Sequence, residues 1–174
     1  VIPGRYHLQR PAFPRGAGAP AARYVRSASL VPFTRAKSSS SPTFGMAAST
    51  SAKLAGGVPV CISTSDKRRF KCGVSDLRRA ITPKTKALLL NYPSNPTGAS
   101  YTRAELLKIS GLVKAKNLAV ISDEIYDELT YDFDHTPFAT LKGMKERVVY
   151  LNGFSKAYAM TGFRLGYACG PRDI

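Results

Sequence analysis

From about Ser41 onward, apolar positions fall into short runs separated by turn residues. "VPVCIS" (58–63) is rich in β-branched residues and predicts a strand. "SDLRRAI" (75–81) predicts a short helix, with Ser75 placed to cap it. "ALLLNY" (87–92) is a continuous apolar run ending in turn residues, the pattern of a strand buried on both faces. Thr102 and Glu105 then form the T-x-x-E pattern of a capping box. The helix they open carries Leu106, Ile109, Leu112 and Val113 on one face, the spacing of a buried stripe. "LAVIS" (118–122), "RVVYLN" (147–152) and "RLGYAC" (164–169) predict three more strands. Strand and helix in alternation predict an α/β fold: a mainly parallel sheet with flanking helices. In such sheets ligands bind at the carboxyl ends of the strands.

The first 40 residues lack this texture. They hold five prolines, seven Lys/Arg and a serine run, with no sustained period of two or 3.6. Such a segment suits an organelle transit peptide, a disordered tail or a stretch read in a wrong frame. The expected division is therefore residues 1–40, a basic segment outside the packed core, and residues 41–174, the α/β domain.

Charge supports a boundary. The net charge is +15, yet residues 1–65 hold eight Lys/Arg and no acid, and all eleven acids follow from Asp66. A uniformly basic nucleic-acid face would not stop so sharply. No apolar run approaches the roughly 18 residues that span a bilayer. Cys61, Cys72 and Cys169 are too few and too scattered for a disulfide framework or a metal site, and read as reduced thiols.

Three predicted strands end in polar segments: "PSNPTG" (93–98), "DEIYDEL" (123–129) and "GFSKAYAMTGFR" (153–164). Each alone is ordinary turn chemistry or solvated loop. Together, at ends facing one crevice, they match the needs of one cofactor type. An aldehyde cofactor needs a lysine amine to form a Schiff base. A pyridine ring that withdraws electrons needs a carboxylate beside its nitrogen. A phosphate needs an arginine fork and hydroxyl or backbone donors. No G-x-G-x-x-G follows a strand, so no nicotinamide signature competes.

"NPTG", "SDEIYDEL" and "NGFSKAYAMTGFRLGY" together make the chain from about Ser41 resemble the class I/II aminotransferases, pyridoxal-phosphate enzymes of fold type I. The wording "FSKAYAMTG" is most similar to the prokaryotic-type aspartate and broad amino acid aminotransferases. The resemblance implies pyridoxal 5'-phosphate as cofactor, and amino group transfer between an amino acid and a 2-oxo acid. It implies that Lys156 holds the cofactor and shuttles the proton, and that Asp123 pairs with the ring nitrogen. It assigns Asn95 and Tyr126 to the phenolic oxygen, and Ser155 and Arg164 to the phosphate. Phe44, in "SPTFG" (41–45), stands where relatives place an aromatic that stacks on the ring, and is otherwise a core aromatic.

The same resemblance implies a homodimer in the cytoplasm, or in an organelle if residues 1–40 are a targeting segment, with no nucleic-acid or membrane partner. It also exposes departures. The glycine loop relatives use for phosphate is echoed only by "GAGA" (16–19), and "GFR" stands at 162–164 where "GWR" is usual. In relatives the small domain that supplies the arginine for the substrate carboxylate lies beyond the position of Ile174, so the resemblance leads to the expectation that these 174 residues lack it, together with the N-terminal arm. The chain is thus expected to be weakly active or inactive alone. Two rival readings remain: a pyridoxal-phosphate lyase of the same fold, and a basic, non-catalytic protein that binds nucleic acid or anionic membrane through residues 1–65.

Overall fold

The computed structural model describes the backbone of residues 28–33 and the whole of residues 50–174. Six strands form one sheet: β1 (Ala28–Phe33), β2 (Val58–Ser63), β3 (Thr85–Asn91), β4 (Ala119–Asp123), β5 (Val148–Gly153) and β6 (Gly166–Cys169). Their order is β2-β1-β3-β4-β5-β6. All neighbours are parallel except β5 and β6, which run antiparallel. The α/β class and the mainly parallel sheet are as the alternation predicts.

Residues 28–33 correct one expectation. They were to stand outside the packed core with the rest of residues 1–40, yet their backbone forms β1, between β2 and β3. Pro32 argues against a central strand, because it cannot donate to a ladder. It is accommodated because β1 pairs with β3 only as far as Leu30↔Leu88, while the pairing with β2 continues to Phe33↔Ser63. The rest of residues 1–40 lies outside the described residues.

Besides the helical residues 50–54, the described residues form two helices that pack on the sheet: α1 (Val74–Ala80) and α2 (Arg103–Ala115). α2 starts as its capping box dictates. Thr102 Oγ1 accepts from the Glu105 amide at 3.3 Å, and the Thr102 amide donates to Glu105 Oε2 at 2.7 Å. α1 starts earlier than expected, with Gly73 and not Ser75 as its N-cap. The cause is Asp76, whose buried carboxylate reaches back to accept from the Gly73 amide at 3.0 Å. Arg68 and Arg79 balance the Asp76 charge, each at 2.5 Å.

The core lies between this helical layer and one face of the sheet. Leu106, Ile109, Leu112 and Val113 of α2 pack with Leu77 of α1 and with Leu88, Leu90, Val120 and Val148 of the strands. Burying each such side chain stabilises the fold by about 1.5–3 kcal/mol. β3 does not bury both faces equally, as its apolar run predicts. Leu88 and Leu90 are fully buried, whereas Ala87, Leu89 and Asn91 are half-buried.

Candidate active site at three strand ends

Register sets the site. Asn91, the last residue of β3, stands opposite Asp123, the last residue of β4, and Asp123 stands opposite Leu151 of β5. The segments that follow these strands therefore emerge side by side. Asp123 closes its strand and does not merely follow it. Its main-chain oxygen accepts from the Tyr92 amide at 3.1 Å and from Asn91 Nδ2 at 3.4 Å. Its side-chain Oδ1 accepts from the Ile125 amide at 3.2 Å. Burial pushes the Asp123 carboxyl above the usual carboxylate range. The Glu124 charge next to it adds to the rise, and the Ile125 amide opposes it.

Tyr126 sits in the turn after β4. Its hydroxyl accepts from Asn95 Nδ2 at 3.3 Å, which joins the segments after β3 and β4. Lys156, in the turns after β5, holds Nζ 5.3 Å from the centroid of the Tyr126 ring. Asn95, Tyr126 and Lys156 thus meet from three strand ends. Lys156 is exposed, so its amine is open to a reagent.

Arg164 is less engaged. It follows the short 3-10 turn Thr161–Phe163 in a left-handed conformation, φ 55°, and its Nη1 donates to the Thr161 carbonyl at 3.1 Å. Ser155 is half-buried beside Lys156. Phe44 lies outside the described residues.

Gly153 fixes the path into the lysine turn. A Cβ there would stand 2.9 Å from the Leu165 carbonyl oxygen and 3.1 Å from Gly166 Cα. β6 can pair tightly with the end of β5 only because this position has no side chain.

Sequence reasoning missed the groups that brace the site. Glu124 is fully buried. Its Oε1 accepts from Ser122 Oγ at 2.6 Å and from the Phe138 amide at 3.1 Å. The Tyr92 hydroxyl lies 3.2 Å from the same oxygen and 3.1 Å from the Thr136 carbonyl oxygen. Glu124 Oε2 pairs with His135 Nε2 at 2.5 Å. On the other side, Asp127 Oδ2 accepts from Tyr150 OH and from Asn152 Nδ2, both at 2.7 Å. The only advance signal was the density of acids in "SDEIYDEL", which does not say which ones turn inward. Among the described residues no group of His, Cys, Asp and Glu is arranged to hold a metal ion, and no helix is long and apolar enough to cross a membrane.

The family profile for aminotransferase class I and II matches residues 16–174. The chain belongs to this family. An aspartate aminotransferase of Geobacillus stearothermophilus is 47% identical over 124 residues, which are 70% of this chain and 32% of the relative. An aromatic-amino-acid aminotransferase of Thermococcus litoralis is 43% identical over 122 residues, 70% of this chain and 31% of the relative. Among solved structures, the aspartate aminotransferase of Thermus thermophilus with maleate superposes with a TM-score of 0.74 at 34% identity, over 86% of this chain and 37% of that one. The aromatic aminotransferase of Pyrococcus horikoshii gives 0.73 at 39% identity, over 83% and 36%. The chain thus spans about a third of the length of the curated relatives it matches. The family is generally pyridoxal-phosphate-dependent. Its match begins at residue 16, inside the segment that composition set apart.

Proposed function

We propose that this chain supplies the cofactor-holding core for pyridoxal-5'-phosphate-dependent transfer of an amino group between an amino acid and a 2-oxo acid. The observation that carries the reading is the meeting of Asn95, Tyr126 and Lys156 at the ends of β3, β4 and β5, with Asp123 on the central strand of the three.

The donor set suits the cofactor. Asp123, whose carboxyl burial disfavours in its charged form, is suited to a buried cationic partner such as a protonated ring nitrogen. Asn95 and Tyr126 are neutral donors for a phenolic oxygen. Lys156 Nζ is the amine that holds the aldehyde carbon and the base that moves the proton of the substrate's Cα. Ser155 and Arg164 hold the phosphate. Bound there, the cofactor supplies an electron-withdrawing ring and a carbonyl carbon that the protein's own side chains lack.

The working assembly in this reading is a homodimer. Exposed Tyr158, Phe163 and Leu165 support it, since these apolar side chains beside the Lys156 turn call for cover. Aspartate and aromatic amino acids are the first donors to test, with 2-oxoglutarate as acceptor.

Titration of pyridoxal phosphate into the purified chain tests the core of the reading. Attachment to an amine shifts the cofactor's absorbance, and borohydride then makes the link permanent. A chain that leaves the absorbance unchanged at saturating cofactor overturns it.

A further inference from the structure

The turn that carries Asp123 and Tyr126 contains three more acids; Glu128 is exposed, and the other two, Glu124 and Asp127, face the protein. Glu124 is 0% exposed, and its carboxylate meets Ser122, Tyr92, Phe138 and His135. Asp127 bonds to Tyr150 and Asn152 of β5. The main chain repeats the pattern. The Glu124 amide donates to the Leu151 carbonyl at 3.0 Å, and the Asp127 amide to the Glu124 carbonyl at 3.0 Å. One acid anchors the turn into the core, and the other ties it to the neighbouring strand.

We infer that Glu124 and Asp127 are positioning residues, which clamp the turn at both sides so that Asp123 and Tyr126 are held toward the cofactor. The inference rests on the reading of those two residues as cofactor contacts.

A carboxylate with no solvent exposure is costly unless its partners are fully in place. A hydrophobic side chain would fill the space more simply. What it would not supply is directional fixing by four separate groups, three of them from outside the turn: Tyr92 after β3, and His135 and Phe138 after the turn. The titratable groups around Glu124 are Asp123 beside it, Tyr92 and His135 in contact with it, and Asp127 and Tyr150 across the turn. His135 is itself buried, with its side chain 8% exposed and Nδ1 without a hydrogen-bond partner among the described residues, so Glu124 makes its one side-chain hydrogen bond while its ring packs against that of Tyr92 at 5.2 Å between centroids. Asp123 and Tyr126 inherit this rigidity. Asp123 Oδ1 accepts from the Ile125 amide, and Ile125 lies between the two anchors.

Amide hydrogen exchange and the pH titration of the Asp123 carboxyl, both read by NMR on the cofactor-free chain, test this. In Glu124→Gln and Asp127→Asn, the Ile125 and Asp127 amides should exchange about tenfold faster than in the wild type. The Val120 amide, paired with the Arg147 carbonyl in the ladder, should follow only the global change. The Asp123 midpoint should fall toward its ordinary value in Glu124→Gln, because a neighbouring charge and part of the burial are both lost. Tyr92→Phe keeps the ring, removes one hydroxyl from Glu124, and should act in the same direction but less; it decides the case if Glu124→Gln does not fold. Leu112→Ala, a core change away from the turn, is the control for destabilisation alone. If Ile125 and Asp127 exchange no faster in the turn variants than in Leu112→Ala, and the Asp123 midpoint stays in place, the two acids are structural only and the inference is overturned. Pyridoxal phosphate added to the wild type separates the two readings. No absorbance change there overturns the cofactor reading, while the exchange data still decide whether the turn is clamped.

Discussion

Lys156 Nζ lies 5.3 Å from the centroid of the Tyr126 ring, although the two side chains leave different strands, β5 and β4. The ring face stabilises the ammonium by about 0.5–1 kcal/mol at an exposed site and keeps the amine beside the Asn95–Tyr126 pair. Borohydride reduction in the presence of pyridoxal phosphate should therefore place the pyridoxyl group on Lys156. Peptide mapping checks it. Label on exposed Lys142 or Lys145 in preference would show that the amine is not selected by the site.

Asp123 gives a pH prediction for the cofactor-free chain. Its folded-state pKa is raised, chiefly by burial. The folded chain therefore favours the neutral acid. The stability it contributes is fully present below the ordinary aspartate pKa and is lost as pH rises through the folded-state value. At neutral pH, Asp123→Asn should melt above the wild type, and the difference should vanish as pH falls below the ordinary aspartate range. Urea unfolding at several pH values measures this. An Asn variant that is less stable at neutral pH would mean that Asp123 makes a stabilising contact as an anion.

Much of this was legible in the sequence. "VPVCIS" became β2 residue for residue, and T-x-x-E started α2 where it stands. Those signals are local: each element's limits are written in neighbouring residues. Asn95, Asp123, Tyr126 and Lys156 could be grouped because a parallel sheet collects its strand ends at one edge. What could not be read depends on distant contacts. Glu124 turns inward because His135, Phe138 and Tyr92 wait for it, and no period in the sequence links them. β1 was hidden by Pro32 and by the basic, proline-rich residues around it, which outweigh the short apolar run "LVPF". Ser75 looked like a cap because its chemistry is right, but Asp76 moved the helix start to Gly73.

Gly153→Ala tests how closely the lysine turn depends on β6. The added methyl would meet the Leu165 carbonyl at 2.9 Å, and backbone cannot rotate away as a side chain can. The cost should be about 1–3 kcal/mol, measured by urea unfolding. Borohydride labelling of Lys156 should fall as well, because separating β5 from β6 moves the segment after Gly153. A variant of wild-type stability would mean that β6 shifts freely.

Arg164 separates phosphate binding from attachment of the aldehyde. Its Nη1 is held by the Thr161 carbonyl, which leaves other guanidinium nitrogens for a ligand. Its left-handed backbone, φ 55°, is uncommon for a residue with a Cβ and sets the direction of the side chain. A hydrogen bond between charged groups contributes about 1.5–3 kcal/mol. Arg164→Met should therefore weaken pyridoxal phosphate about 10- to 150-fold. Pyridoxal, which reacts through the same aldehyde but lacks the phosphate, should bind wild type and variant alike. Absorbance titrations with both compounds make the comparison, and the wild-type affinity for the phosphate form should fall as salt rises. Equal losses for both compounds would place Arg164 in the support of Lys156. No loss for either would remove it from the site.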